Sequence, residues 1–313
     1  MLKDGRKDLD EIAEENDVSK SFICKHYTEM KKAGIIIGAT AQVNYAHLGY
    51  SAVAEIISPD YFGNLLKIQE QFQKIPEIIF SFYEPLQSCL VAIARLRNLD
   101  TMDEFRERIR QAGTIGRTLF YFWTGKIRNI PENLSFGLPA WKNQVNEAQS
   151  KSTIDPVQVV KECDAVDLQI IDKLFRNGRL SFRKIAQDIG VTTDTVARRY
   201  KRLKKNGTVN VAIQICPQRI GYHCCLDSFL VLKSQKNIDA TINALSMIPD
   251  VFCIVGTSGG YDLHVWSLVM DIDHLFSIQN RISKVPEFGK MDYRINSGFI
   301  ETYPSPNQYI TTT

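Results

Sequence analysis

The stretch that decides the fold is RKIAQDIGVTTDTVARRYKRLKKNG, residues 183–207. It holds two short amphipathic runs separated by a glycine and two threonines. In the second run Val196, Tyr200 and Leu203 are spaced four and three residues apart, so they share one face of a helix. The remaining face is basic, with Lys or Arg at positions 198, 199, 201, 202, 204 and 205. We predict a helix over 193–205 that buries its apolar face and turns the basic residues outward.

The flanking segments complete a winged helix-turn-helix pattern. Apolar spacing predicts a first helix over 167–176. A second helix is predicted over 181–189, with Ser181 as its N-cap and Gly190 as its stop. The alternating segment TVNVAIQI, residues 208–215, predicts a strand pair that forms a hairpin or wing. The third helix of such a motif projects from the domain and has the width of a DNA major groove.

The charge of this segment separates it from an ordinary solvated helix surface, which is the alternative explanation for a basic run. Residues 167–222 contain 12 Lys and Arg against 4 Asp and Glu, whereas a solvated face usually mixes signs. Arginine pairs bidentately with guanine, lysine neutralises phosphate, and threonine contacts phosphate or a thymine methyl group. The residues that we predict to contact double-stranded DNA are Thr193, Thr195, Arg198, Arg199, Lys201, Arg202 and Lys205.

The chain contains a weaker version of the same segment 173 residues earlier. The aligned pairs are Ile12 with Ile185, Val18 with Val191, Tyr27 with Tyr200, and the KKAG of 31–34 with the KKNG of 204–207. In the first copy the opening helix would begin before Met1. Either the natural chain starts upstream or this copy has lost that helix.

The first copy differs from the second in charge. Residues 6–50 hold 6 basic against 7 acidic side chains. Lys20, Ser21 and Lys25 remain as candidate DNA contacts, but Glu11, Glu14 and Glu15 nearby would repel phosphate. The alternative is that the first copy has become an interaction or oligomerisation surface.

Each copy continues with the pattern β-α-β-β-α-β. In the second copy a strand over 225–233 is followed by two amphipathic helices and three further strands, with Asp271 as a helix cap. In the first copy the strands are predicted at 51–58, 78–84, 88–96 and 117–128, and the helices at 63–75 and 100–112. This order is that of a ferredoxin-like sheet with helices on one face. The open face needs cover, and two such sheets in one chain can supply it.

The predicted fold class is therefore α+β, with two winged helix-turn-helix domains that are each followed by a ferredoxin-like βαββαβ domain. The predicted boundaries are a first winged helix at 1–46, a first ferredoxin-like domain at 47–130, a linker at 131–165, a basic winged helix at 166–217, a second ferredoxin-like domain at 218–303 and a tail at 304–313.

Composition excludes several other classes of protein. Hydrophobic residues make up 44% and charged residues 23% of the chain, and no run approaches the roughly 20 apolar residues of a membrane helix. The N-terminus has no apolar signal core, and none of the seven cysteines forms a CxxC pair. We expect a cytoplasmic protein with reduced thiols, without membrane contact. Cys216, His223 and Cys224 match no zinc spacing, and no Walker loop or nucleophile elbow is present. We predict no metal, no cofactor and no enzymatic activity.

Three segments of the second copy resemble the Lrp/AsnC (leucine-responsive, or feast/famine) transcription regulators. They are VDLQIIDKLFRNGRLSFRKIAQDIGVTTDTVARRYKRLKKNGTV (166–209), RIGY (219–222) and VGTSGGYDL (255–263). Residues 6–128 are a weaker second match, so the chain looks like a tandem form of a family that is normally single-copy. The resemblance implies a DNA-binding domain joined to a ligand-sensing RAM domain that dimerises. It also implies a pseudo-dimer within one chain and further homo-oligomerisation.

The resemblance also implies a small-molecule effector, such as an amino acid, bound near the GxYD turn. Carried over to this sequence, the effector-binding residues are Thr257, Ser258, Gly259, Gly260, Tyr261 and Asp262. The glycine-rich turn lets backbone amides reach a carboxylate, and the aspartate can receive an ammonium group. The alternative is a hairpin that simply needs glycine. The first copy has EPLQSCL (84–90) in this place, so it lacks the motif.

A second function is left open by a related branch with this fold, the sirohaem decarboxylases, which also occur as two-part fusions. Such an enzyme would need histidine and arginine at a porphyrin pocket. His264 lies in a strand near the predicted effector site, His223 follows the RIGY junction, and Arg294 lies on the last strand. The basic recognition helix favours DNA binding over this alternative.

Overall fold

The computed structural model describes residues 4–58, 65–72, 74–84, 88–113, 118–129, 134–135 and 163–296. Within these ranges the chain is α+β, as predicted from the sequence. No helix in them is long and apolar enough to cross a lipid bilayer. The linker residues 136–162 and the tail 304–313 lie outside the described residues.

The first part of the chain contains helices α1 and α2, strand β1 and then a β-α-β-β-α-β unit. Asp8 caps α1 by accepting from the backbone of Asp10, and Ser19 caps α2 by accepting from Phe22. The bounds are α1 Leu9–Glu15, α2 Lys20–Lys32, β1 Ile36–Val43, β2 Ala52–Ser58, α3 Leu65–Phe72, β3 Ile78–Glu84, β4 Cys89–Leu96, α4 Met102–Gln111 and β5 Leu119–Asn129. A two-residue strand, β6 Leu134–Ser135, follows within the predicted linker.

The second part repeats this order behind an additional helix. The bounds are α5 Ala165–Arg176, α6 Phe182–Ile189, α7 Thr193–Lys205, β7 Val209–Ile215, β8 Cys224–Leu232, α8 Ile238–Ser246, β9 Val251–Ser258, β10 Leu263–Val269, α9 Ile272–Ile282 and β11 Phe288–Asn296. The predicted caps are confirmed. Ser181 accepts from the backbone N–H of Lys184, Gly190 ends α6 at a φ of 72°, and Asp271 caps α9.

The predicted wing hairpin is wrong. Residues 209–215 form one strand, β7, and its antiparallel partner is β1 from the other half of the chain. The pairs run from Val43 opposite Val209 to Ile36 opposite Ile215, with a register shift between Gly38 and Ile36. The alternating pattern required a neighbouring strand but did not specify which one. The short β6 pairs in parallel with β7 on its other edge.

The two β-α-β-β-α-β units share one eight-stranded sheet. Its order is β11-β8-β10-β9-β5-β2-β4-β3, so β5 of the first unit pairs antiparallel with β9 of the second, with Phe122 opposite Ser258 and Trp123 opposite Thr257. Within each unit the first and third strands are central, as in a ferredoxin-like sheet. The halves are therefore joined through sheet edges at β5 and β9.

Burial on both faces of the strands produces three cores. On β2, Val53 and Ile57 face a core shared by both halves, whereas Ala54 and Ile56 face helices α3 and α4. The shared core also takes Phe229 and other inward side chains of the second unit. A third core lies beneath α8 and α9. Two half-sheets thus cover each other, because the side chains of a strand alternate between its faces.

Reciprocal contacts join the helical parts of the two halves. The backbone N–H of Gly5 donates to the carbonyl of Val211 at 2.8 Å, and that of Gly178 donates to the carbonyl of Ala39 at 2.7 Å. Gly5 and Gly178 are 173 positions apart, which is the spacing of the sequence repeat. Helix α5 packs against β1, so the opening helix of one half rests on the strand of the other.

Candidate functional site

Helix α7 is held by its cap and its buried face. Thr192 is the N-cap, and its Oγ1 accepts from the backbone N–H of Thr195 at 3.1 Å. Val196, Tyr200 and Leu203 are 0%, 7% and 2% exposed, so the predicted buried face is confirmed. The hydroxyl of Thr195 lies 2.8 Å from that of Thr192, so it serves the cap.

The outward face of α7 carries three unneutralised cations. Arg198, Lys201 and Lys205 are exposed, and within the described part of the chain no carboxylate lies within ion-pair distance of them. Their spacing of three and four residues places them on one side of the helix. Thr193 is exposed at the leading end of the same helix. We call this surface, residues 193, 198, 201 and 205, the free cationic face.

The prediction that all basic residues of α7 face outward is wrong for Arg199 and only partly right for Arg202 and Lys204. Arg199 Nη1 lies 2.5 Å from Asp164 Oδ2 and 3.1 Å from Asp167 Oδ1. Arg202 also bonds Asp167 while remaining 51% exposed, and Lys204 pairs with Asp4.

The reason for this pairing is the start of α5. Asp164 and Asp167 form a reciprocal capping box there, and Asp167 is only 1% exposed. A carboxylate in that environment requires a cationic partner, and Arg199 supplies it. The hydrogen bond from Arg199 holds the pKa of Asp164 below its ordinary value and raises the pKa of the guanidinium. Arg199 therefore fastens α7 to α5.

The candidate DNA contacts of the first copy are occupied. Lys20 Nζ lies 2.7 Å from Asp10 Oδ2, and Lys25 Nζ lies 4.0 Å from Glu29 Oε1. The hydroxyl of Ser21 lies 2.9 Å from that of Ser19, the cap of α2. At the leading end of α2 the aromatic ring of Phe22 is exposed beside Lys20 and Ser21. The outer face of α2 therefore offers less uncompensated positive charge than that of α7.

A cavity of about 720 Å³ opens beside the β9–β10 turn. All six effector-binding residues predicted from the resemblance line it. Four further lining residues were not predicted, namely Thr124, Val231, Gln235 and Ile238. Thr124 belongs to β5, so both halves of the chain contribute to this cavity. No local sequence signal marks Thr124, because it reaches the cavity only through the β5–β9 pairing.

Several polar groups of the cavity are engaged by the protein itself. Asp262 accepts from the backbone N–H of Leu232 at 2.7 Å and from Gln235 Nε2 at 2.6 Å. Tyr261 donates its hydroxyl to Asp292 at 2.7 Å, and burial together with that bond raises the Tyr261 pKa to about 12. Asp262 therefore anchors the segment between β8 and α8, and its role as acceptor for an ammonium group stays a prediction.

The glycines of the β9–β10 turn fit both effector binding through the backbone and the alternative of a hairpin that simply needs glycine. Gly259 and Gly260 have φ values of 110° and 121°, which other residues rarely adopt. A Cβ on Gly259 would also meet the carbonyl oxygen of Phe120 at 3.0 Å. The turn thus needs glycine for its own geometry, and it also brings backbone to the cavity wall. Of the corresponding turn in the first copy, residues 85–87 lie outside the described part.

His264 does not line the cavity. It is 0% exposed in the shared core, its Nδ1 lies 2.7 Å from Glu55 Oε2 of the other half, and its ring stacks between those of Phe229 and Trp266. The alternation of β10 turns residues 264, 266 and 268 toward the opposite half-sheet, whereas the cavity lies at the end of the strand.

Arg294 and His223 are the other two residues named for a sirohaem decarboxylase, and they do not form an open pocket with His264. Arg294 lies over the ring of Phe229 at 5.1 Å, and His223 is exposed before β8. Asp227, also inside the shared core, has its pKa raised to about 6, mainly by burial. All seven cysteines are free, and the described residues contain no cluster suited to a metal ion.

Comparison with known proteins places these features in context. A family model for the AsnC-type helix-turn-helix domain matches residues 164–204. The HTH-type transcriptional regulator Ptr1 of Methanocaldococcus jannaschii is 31% identical over 113 residues, which are 36% of this chain and 76% of that protein. Regulatory protein AsnC of Escherichia coli strain K12 is 26% identical over 126 residues, 40% of this chain and 83% of its own.

Some solved structures match nearly the whole chain in fold. The siroheme decarboxylase NirDL, in co-complex with an iron-uroporphyrin III analogue, superimposes with a TM-score of 0.60 over 95% of this chain and 93% of its own. The sequence identity is 11%, so this likeness is one of fold alone.

Proposed function

The chain belongs to the Lrp/AsnC family of helix-turn-helix proteins, and on that premise we propose that it is a sequence-specific DNA-binding transcription regulator with a sensing cavity. The observation that carries the proposal is the free cationic face of α7. Three exposed cations that have no ion-pair partner among the described residues lie on one side of a helix whose other side is buried. Such charge is complementary to the phosphate backbone and base edges of a major groove.

Each residue of α7 has its own part in this proposal. Arg198 and the half-exposed Arg202 reach base edges or phosphates, and Lys201 and Lys205 neutralise phosphates. Thr193, at the positive end of the helix dipole, meets a phosphate oxygen. Arg199 acts indirectly, because it holds α7 against the capped start of α5.

The proposed effector is a small amino-acid-like molecule in the cavity beside the β9–β10 turn. Backbone groups of the glycine turn and the Ser258 hydroxyl are suited to a carboxylate. Because Thr124 comes from the first half, a ligand there would contact both halves. Such a ligand changes DNA binding only by favouring one arrangement of the protein over another.

The ligand is proposed to change how chains associate with each other. It is not proposed to change how the two halves of one chain are arranged. The β1–β7 ladder and the reciprocal glycine contacts join the halves over many bonds. Association is supported by exposed apolar side chains on the second unit, where Met247, Ile272 and Phe276 are 83%, 59% and 58% exposed. We include homo-oligomerisation in the proposal for this reason.

One chain is proposed to act as a pseudo-dimer made of two copies of the family unit. The repeated order of elements over 52–129 and 224–296 supports this. Further support comes from the 173-residue spacing that relates Gly5 to Gly178, each of which donates to the β-strand of the other half.

The test uses the purified full chain and fragments of genomic DNA at moderate salt, with and without a mixture of amino acids. Retained fragments that share a common sequence are expected, and the amino acids should change their retention. The matched control is Arg198→Ala/Lys201→Ala, which removes charge from exposed positions without disturbing the core. Equal retention by this variant, or no retention by the native chain, contradicts the proposal.

The second candidate is an enzyme of the sirohaem decarboxylase type. His264 Nε2 is buried without a hydrogen-bond partner in the described chain, which is the observation that favours it. A porphyrin needs open volume beside its ligands, however, and His264 is fully enclosed by two aromatic rings and Glu55. The three residues as arranged do not fit that group. A shifted Soret band on addition of sirohaem, without DNA retention, would favour the enzyme.

A further inference from the structure

The two recognition helices of the chain differ at the positions that face outward. Helices α2 and α7 align residue for residue at the 173-residue spacing, and both have 13 residues. Lys25 stands in the place of Arg198 and Thr28 in that of Lys201. Glu29 occupies the position of Arg202. Over these three positions the α2 face thus loses two cations and gains one carboxylate, and that carboxylate contacts Lys25 and His26.

The helices that precede them differ in the same direction. In a helix-turn-helix the first of the two helices crosses the phosphate backbone. Helix α6 carries Arg183 and Lys184 in its first turn, whereas Asp10 and Glu11 occupy the same positions of α1. Two positions therefore change from positive to negative at the surface that would meet phosphate.

These local changes add up over each head, by which we mean residues 6–33 for the first and 179–206 for the second. The first head holds 6 basic and 7 acidic residues, and the second holds 9 basic and 2 acidic residues. The charges of one head act mainly on the DNA that this head contacts. Salt screens their effect on more distant DNA, because the Debye length is about 8 Å at physiological salt. The second head attracts a phosphate backbone, and the first head gains nothing from it.

The two heads are fixed to each other by direct contacts, so every chain presents one basic head and one acidic head together. Seven residue pairs join β1 to β7. Arg6 of the first half also donates to the carbonyls of Gly178 and Leu180, at 2.5 and 2.9 Å. These contacts hold each head in its own place, so one head can take the position of the other only if the contacts break.

We infer that a single chain reads one asymmetric half-site rather than an inverted repeat, with α7 as the reading helix. This inference rests on the proposed DNA-binding function and specifies the class of DNA sequence that the chain recognises. A symmetric dimer presents two equal helices to half-sites about 10 bp apart. Here the second of those positions would be occupied by a helix with Glu29 at its outer face.

The experiment selects bound sequences from a library of random 30-bp duplexes, using the full chain and isolating complexes that contain one chain. One conserved block without a mirrored partner is expected. Two mirrored blocks with centres about one helical turn apart overturn the inference while leaving DNA binding intact. If no sequence is enriched at all, the proposed function itself fails, so the two failures are distinguishable.

A gain-of-charge variant tests the cause. Asp10→Arg, Glu11→Lys, Thr28→Lys and Glu29→Arg together give the first head the residues of the second at exposed positions. A mirrored second block should then appear, and a duplex with an inverted repeat should bind at least about tenfold tighter than one with a single block, through avidity. If the variant has the circular dichroism spectrum of the native chain and still selects one block, these residues do not cause the asymmetry. That result overturns the inference.

Discussion

Arg6 and Arg179 lie 173 positions apart, and each donates hydrogen bonds to the backbone of the opposite half. Arg6 bonds the carbonyls of Gly178 and Leu180, and Arg179 bonds those of Gly5 and Lys7. Each guanidinium also lies over an aromatic ring. The two helical parts are therefore held together by a symmetric exchange of charged donors.

Replacing Arg179 by alanine should destabilise the fold. Its loss leaves two partly buried carbonyls without a charged donor, and we expect a decrease of roughly 2–3 kcal/mol in the free energy of unfolding. Denaturant unfolding measures this change. The matched control is Arg183→Ala on exposed α6, for which we expect less than about 0.5 kcal/mol. Similar values for both variants would show that the exchange contributes nothing.

The close approach of Gly178 to β1 gives a second prediction. A Cβ at this position would lie 2.6 Å from Val211 Cγ1 and 2.9 Å from backbone atoms of Ala39 and Thr40. Gly178→Ala should therefore cost about 3 kcal/mol through overpacking. Gly190→Ala is the control, because Gly190 has open space around it and only its φ of 72° opposes a side chain. It should cost about 1 kcal/mol, and the reverse order would contradict the described packing.

The buried carboxyl of Asp227 makes stability depend on pH. Its pKa is raised from 3.8 to about 6, first by burial, with His264 opposing the shift and Glu55 adding to it. The folded state then binds a proton more tightly than the unfolded state, so the stability from this group is present below pH 4 and is lost as pH rises through 6. At 1.36 kcal/mol per pH unit, the loss is about 3 kcal/mol.

Asp227→Asn isolates this effect from other titrating groups. The unfolding free energy of the variant, minus that of the native chain, should increase by roughly 2–3 kcal/mol between pH 4 and pH 7. Measurements at several pH values, by chemical denaturation, give this difference directly. A difference that does not change with pH would show that Asp227 titrates normally.

Arg199 should affect stability more than DNA binding. It neutralises Asp167, which is 1% exposed, so Arg199→Ala leaves a buried carboxylate short of a partner. We expect a loss of about 2–3 kcal/mol of stability, because Arg202 still reaches Asp167. The salt dependence of DNA affinity should hardly change. A large change in that dependence, with stability unaffected, would return Arg199 to the DNA surface.

The parts of the structure that sequence could predict are those set by local periodicity. The spacing of Val196, Tyr200 and Leu203 fixes the buried face of α7, and the Ser181 cap and Gly190 stop follow from backbone chemistry. Element order in both β-α-β-β-α-β units was recognisable for the same reason. The repeat at a spacing of 173 residues then suggested how two half-sheets could cover each other.

Contacts between distant segments were not predictable in this way. Nothing near residue 199 indicates that its partner lies 32 and 35 positions earlier, at Asp167 and Asp164. The partner strand of β7 and the contribution of Thr124 to the cavity likewise depend on which edges meet. The alternation of side chains along β10 indicates which residues share a face of the sheet with His264. It does not indicate that Glu55 of the other half lies opposite this histidine.

The most direct test of the DNA-binding claim is the affinity of the full chain for a labelled duplex between 50 and 200 mM salt, measured by fluorescence anisotropy. With about four phosphates neutralised by α7, affinity should fall about 10²-fold across that range, and Arg198→Ala/Lys201→Ala should reduce the slope of log affinity against log salt by about 1.8. A slope that is unchanged in this double variant, or an absence of binding at 50 mM salt, would contradict the account.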